Sequence, residues 1–104
     1  MFVKLYEYRI RPENEQELLD IQKKAGEIYR KYTEVQTSVL KSKEDQSKWT
    51  EISYFKSEEE YHNMLPLINQ DDEIQELFKK FQSLLISSIK EEDYEQKNLN
   101  QAGQ

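Results

Sequence analysis

The succession of side-chain periods along the chain constrains its fold more than any single motif. Apolar residues alternate across Met1–Arg11, switch to spacings of three and four over the next stretch, and alternate again over Glu34–Lys41 and Lys48–Phe55. A second region of helical spacing follows, and an apolar run at Leu85–Ile89 closes the patterned part. This order predicts β-α-β-β-α-β, an α+β domain in which an antiparallel sheet carries helices on one face. The other sheet face is bare, and something outside a single copy has to cover it.

Within the first segment Phe2, Tyr6, Tyr8 and Ile10 share one face and Met1, Val3 and Leu5 the other, so the strand is read as buried on both sides. Pro12 stops it by removing a backbone donor. Asn14 followed by Glu17 predicts a helix start in which the Asn14 side chain accepts an orphan N–H. Leu18, Ile21, Ala25, Ile28 and Tyr32 then form one apolar stripe. Gly26 interrupts that helix at a cost of about 1 kcal/mol against alanine, which predicts close helix–sheet packing. In the hairpin, Val35, Thr37 and Val39 share a face, as do Trp49, Glu51, Ser53 and Phe55, with the reversal at Ser42–Ser47. Ser57 ahead of Glu58, Glu59 and Glu60 is a capping box with acid in the first turn. Pro66 kinks or ends that helix, and Asp71 or Asp72 starts another through Ile74, Leu77, Phe78 and Phe81. The last strand is placed at Leu85–Ile89, after a change of structure near Ser83–Leu85. One domain over residues 1–95 and a polar tail over 96–104 account for the 104 residues.

Composition excludes several functions. Apolar residues are 36% and charged residues 35% of the chain, lean for a two-layer fold that stands alone, while 12% aromatic content argues against disorder. A net charge of -6 is unsuited to nucleic acid or an anionic membrane. With no cysteine there are no thiolate metal sites, iron–sulfur clusters or cysteine nucleophiles. Two glycines, Gly26 and Gly103, cannot build a phosphate or dinucleotide loop, so no cofactor of that kind is expected. No apolar run approaches the ~20 residues of a membrane span and nothing resembles a signal peptide, which points to the cytoplasm. The Asn/Gln/Lys/Glu-rich composition suits a low-GC bacterium.

Six residues are candidates for chemistry. Glu51 is a carboxylate on an inward strand face. Desolvation would raise its pKa and make it an acid or base, or it pairs across a dimer interface with Lys4, Arg9 or Arg11. His62, the single histidine, could act as a general base or simply be exposed; one histidine without converging carboxylates is not a metal signal. Tyr6, Tyr8 and Trp49, with Ser53 between aromatics, could wall a pocket for a flat ligand or form interface core.

The opening FVKLYEYRIRPENEQELL and the later KWTEISYFKSEEEYHNML resemble the dimeric α/β-barrel superfamily, in its antibiotic-biosynthesis-monooxygenase-like and NIPSNAP-like branches, over about residues 1–94. The carriers are an aromatic-rich first strand ending in Arg9-Ile10-Arg11-Pro12, and an aromatic third strand running into Ser57 and an acidic helix start. The resemblance implies a ferredoxin-like fold and a homodimer whose sheets pack as a barrel. It also implies a ligand pocket between sheet and helices or inside the barrel. Haem-degrading relatives carry an Asn on the first strand, a Trp where Phe55 stands and a His on the second helical region. Here the first strand has no Asn and His62, though on that region, lies close to its start, so haem is disfavoured. The implied activity is a cofactor-independent, monooxygenase-like enzyme acting on an aromatic or polyketide-like small molecule. In that reading Glu51 or His62 takes a proton and Tyr6, Tyr8, Trp49 and Ser53 line the pocket. The alternative is a non-catalytic homodimeric ligand-binding or interaction module.

Overall fold

A computed structural model describes residues 1–99; residues 100–104, the end of the expected polar tail, lie outside the described residues. The elements are β1 (Phe2–Arg9), a 3-10 turn (Pro12–Asn14), α1 (Glu15–Tyr29), β2 (Val35–Lys41), β3 (Lys48–Phe55), α2 (Glu58–Asn69), α3 (Asp72–Leu84) and β4 (Lys90–Glu95). The sheet order is β2-β3-β1-β4 and every pairing is antiparallel. β1 is therefore central, with Tyr6 opposite Glu51 on one side and Glu91 on the other.

The alternation in β1–β3 sorts side chains as expected. Phe2, Tyr8, Ile10, Trp49 and Phe55 turn toward the helices and join Leu18, Ile21, Ile28, Met64 and Phe81 in one buried core. On the opposite side of the sheet Val3 is buried among its neighbours, Leu5, Ile52 and Tyr54 are half-buried, and Leu40 and Tyr94 are exposed. The β2–β3 reversal is pinned by Ser42 and Asp45: Ser42 Oγ accepts from the Asp45 N–H at 3.1 Å, and Asp45 accepts from the Ser47 N–H at 3.0 Å.

Helix starts follow the sequence signals at two of three places. Ser57 Oγ accepts the Glu60 N–H at 3.1 Å and Asp71 Oδ1 accepts the Ile74 N–H at 3.0 Å, as the capping pattern requires. At α1 the expectation fails. Asn14 makes no side-chain cap, because Pro12–Asn14 already forms a 3-10 turn that leads straight into the helix. Pro66 lies inside α2, which ends three residues later at Asn69. Tyr32, assigned to the α1 stripe, lies beyond the helix, where its hydroxyl donates to Asp71 at 2.8 Å.

The last strand is also corrected. Leu85–Ile89 is the connection, touching β1 through an Ile10–Leu85 bridge and an Ile86 N–H bond to the Arg9 carbonyl. The strand itself is the acidic Lys90–Glu95. Its helix-side residues Glu91 and Asp93 both accept from the Lys4 ammonium, Asp93 at 2.6 Å, and Lys4 is only 4% exposed. A charge cluster attaches this edge strand where the sequence pattern anticipated apolar packing.

Candidate functional site

Between the sheet and the three α-helices lies a half-enclosed cavity of about 310 Å³. The sheet supplies Tyr6, Tyr8, Thr37, Glu51, Ser53 and Phe55 to its floor. The walls come from the helices: Gln22, Gly26 and Tyr29 from α1, Tyr61 and Leu65 from α2, Phe81 from α3. Among the described residues Glu51 is the one charged side chain in this lining.

Glu51 reaches the cavity because it stands on the same β3 face as Ser53 and Phe55, and its cross-strand neighbour Tyr6 stands on the same face of β1. Its Oε1 accepts from the Tyr8 hydroxyl at 2.5 Å and from the Gln22 side-chain amide, which also bonds the Tyr8 oxygen at 3.3 Å. Burial pushes the Glu51 carboxyl above the usual carboxylate range, and the hydrogen bonds from Tyr8 and Gln22 pull it back only in part. Within this chain Glu51 makes no ion pair with Lys4, Arg9 or Arg11. Lys4 is engaged by Glu91 and Asp93, Arg9 by Asp45 on the hairpin, and Arg11 is exposed. Among the described residues no cation pairs with Glu51.

Burial also pushes the phenols of Tyr6, Tyr8 and Tyr29 up, so at neutral pH they are uncharged donors around the carboxylate. Phe55 and Tyr61 meet edge to face at 4.9 Å, as do Tyr8 and Phe81, giving the cavity rigid aromatic walls. Ser53 Oγ is 3.0 Å from Thr37 Oγ1, a polar spot on an otherwise apolar floor.

Four of the six sequence candidates thus converge: Glu51, Tyr6, Tyr8 and Ser53 all line the cavity. Trp49 does not; it is buried in the core two residues along β3 from Glu51. His62 does not either. It lies on the outer face of α2 beside Glu58, with Nε2 3.4 Å from that carboxylate and a side chain 60% exposed. The interface-core alternative for Tyr6, Tyr8 and Trp49 is set aside, because all three face this chain's own helices. Sequence reasoning missed Gln22, Tyr29 and Tyr61. Gln22 carried a signal, as an amide directly beside the apolar stripe at Ile21; Tyr29 lies next to Ile28 of that stripe, and Tyr61 is an aromatic at helical spacing from Met64 and Leu65.

Gly26 has a different role from the one its sequence position suggested. A Cβ there would meet no sheet atom, only the Arg30 guanidinium, at 3.2 Å, so close helix–sheet packing is not what selects glycine. Its place is in the cavity wall.

Neither a protein-family profile nor a curated protein matches the chain. Solved structures do. A NIPSNAP domain protein from Burkholderia xenovorans superposes with a TM-score of 0.76 at 14% identity, covering 95% of this chain and 96% of that one. SnoaB, a cofactor-independent oxygenase from Streptomyces nogalater, gives 0.74 at 6% identity, with 96% of each chain covered. The chain has the fold of the antibiotic-biosynthesis-monooxygenase-like and NIPSNAP-like proteins. A conserved protein from Methanosarcina mazei shares it as well, with a TM-score of 0.73 at 18% identity over 93% of this chain and 94% of that one. At these identities the similarity speaks for architecture, while the chemistry has to come from the residues in the cavity. Among the described residues no helix is long and apolar enough to cross a membrane.

Proposed function

We propose that this chain is a cofactor-independent, monooxygenase-like enzyme for a flat aromatic or polyketide-like molecule, and that Glu51 is its general base. One observation carries the reading: a carboxylate with its pKa raised by burial, uncompensated by any cation among the described residues, faces an aromatic cavity. The cavity's volume suits a small polycyclic ligand. A phenol or enol seated on Tyr6, Tyr8 and Phe55 would give its proton to a Glu51 oxygen. The electron pair stays on the substrate oxygen and ring, and the electron-rich ring carbon bonds dioxygen. The peroxide takes the proton back from Glu51, and loss of water breaks the O–O bond and leaves one oxygen atom on the carbon as a carbonyl. A raised pKa makes Glu51 a stronger base than a solvated carboxylate, and Tyr8 and Gln22 hold it in one orientation. Ser53 binds a polar edge of the ligand in this scheme. His62 and Trp49 are outside the cavity and have no part in it.

The same reading includes a homodimer. Leu5, Leu40, Ile52, Tyr54 and Tyr94 form a partly exposed apolar surface on the helix-free side of the sheet, and a second sheet packed on it would cover them. Glu51 lies on the other side, so assembly and chemistry separate.

Oxygen uptake with a panel of hydroxylated anthrones and naphthols tests the proposal. Glu51→Gln is expected to lower turnover by about 10²–10⁴-fold while the elution volume on size exclusion stays unchanged. Equal turnover in the variant would remove Glu51 as the base. Loss of the dimer in the variant would return it to an interface role.

A further inference from the structure

We infer that Arg30 anchors an anionic group of the ligand at the α1 wall, so that the site selects an aromatic or enolic acid. This rests on the cavity being the ligand site. Gln22, Gly26 and Arg30 lie on one i, i+4 row of α1, with Arg30 at its C-terminal boundary. Gln22 reaches Glu51, Gly26 lines the cavity, and the Arg30 guanidinium lies back over Gly26, with Nη1 3.2 Å from where a Cβ would stand. Long side chains on a helix lean toward its N-terminus, so Arg30 is directed along this row, and a glycine is what allows its head to settle against the wall.

The charges are compatible with this placement. Lys4, Arg9, Lys41, Lys48, Lys79, Lys90 and Lys97 have acidic partners, and Arg30 is among the basic side chains that do not; what distinguishes it is its contact with Gly26 in the cavity wall. Arg30 is exposed, and among the described residues no carboxylate comes within salt-bridge distance of it. Arg30 is not itself a lining residue, but its guanidinium lies against Gly26, which is, and a planar guanidinium without a counter-ion at that edge is suited to a carboxylate or a comparable oxyanion. Since Glu51 is the charged group among the described lining residues and is itself an acid, a cation next to the wall offsets its repulsion of an acidic ligand. The ligand then lies with its proton-bearing end at Glu51 and its acidic end at Arg30.

Fluorescence titration at neutral pH and low salt with 6-hydroxy-2-naphthoate and 2-naphthol reads this directly, since the two probes differ by the carboxylate. The wild-type protein should bind the carboxylate probe about tenfold more tightly, the factor expected of one charge-assisted contact. Arg30→Gln should erase that preference and leave 2-naphthol within about twofold, while Arg30→Lys should restore part of it. The preference should also shrink as salt is raised. An equal affinity of the wild-type protein for both probes, or a preference that survives Arg30→Gln, overturns the anchor and leaves the Glu51 reading standing. Failure of both probes to bind overturns the cavity as the ligand site, and the anchor with it.

Discussion

Lys4 and Glu51 rise from the same face of the same sheet on adjacent strands, and the fold treats them in opposite ways. Lys4 is almost fully buried, yet its ammonium bonds Asp93 at 2.6 Å and also Glu91, and stands 5.2 Å from the Tyr61 ring and 5.8 Å from the Tyr6 ring. Burial alone would lower its pKa; the bonds to Asp93 and Glu91 more than reverse that and hold it above its ordinary value. Glu51 receives two neutral hydrogen bonds and no counter-ion, and burial raises it. A buried charge that is fully paired holds an element in place; one that is only hydrogen-bonded keeps its proton affinity available for use. Lys4 holds β4, and Glu51 faces the cavity.

The largest effect expected from this contrast concerns the acids of β4. In Glu91→Ala combined with Asp93→Ala, Lys4 is left buried without a counter-charge, and a loss of about 3 kcal/mol in urea unfolding is expected. Lys4→Met should cost far less, about 1 kcal/mol or under. Its removal leaves two carboxylates that are half exposed, 51% and 55%, and can be hydrated again. Similar, small losses in both would mean that Lys4 escapes to solvent and that β4 is held by its backbone bonds alone.

This ion cluster is also why β4 could not be read from the sequence. Lys90–Glu95 has no apolar alternation to mark a strand; its partner is a single lysine near the other end of the chain, and no local pattern encodes that pairing. The nearby apolar run Leu85–Ile89 drew the assignment because burial and strand formation usually coincide. The first three strands were legible since each alternates between two distinct environments, and the starts of α2 and α3 were legible from Ser57 and Asp71. Within the site, Glu51, Ser53, Tyr6 and Tyr8 could be grouped because a strand's period of two places them on one face. Tyr29 and Tyr61 could not. Their approach to Glu51 depends on how α1 and α2 lie across the sheet, which side-chain period does not specify.

A second, smaller effect sharpens the Glu51 half of the comparison. Because its folded pKa is raised, the native state holds more protons than the unfolded chain between the ordinary glutamate value, 4.5, and the folded one. Its contribution to stability is complete below the ordinary value and is lost as pH rises through the folded value. Glu51→Gln has no such titration. Its melting temperature should gain on the wild type as pH is raised from about 4 to about 8, reaching a few degrees at the upper end. A difference that stays flat over that interval would show that Tyr8 and Gln22 compensate the charge in full, and the contrast with Lys4 would disappear.

The smallest effect belongs to His62, the other side chain whose residue type suggested proton transfer. Its imidazole projects from α2 beside Glu58 in an i, i+4 pair, with 60% of the side chain in solvent. Exposed pairs of this kind contribute little, so His62→Ala should change stability by no more than about 0.5 kcal/mol. It should also leave oxygen uptake and 2-naphthol affinity unaltered, because no atom of His62 lines the cavity. Chemical type alone ranks histidine above glutamate as a base near neutral pH. Location reverses that order here, since burial raises the basicity of Glu51 and it lines the cavity, whereas His62 stands largely in solvent beside Glu58 and against the edge of the Tyr61 ring, outside the lining. A drop in turnover of His62→Ala beyond about threefold would place the chemistry on the outer face of α2, and the cavity would then be a feature of packing.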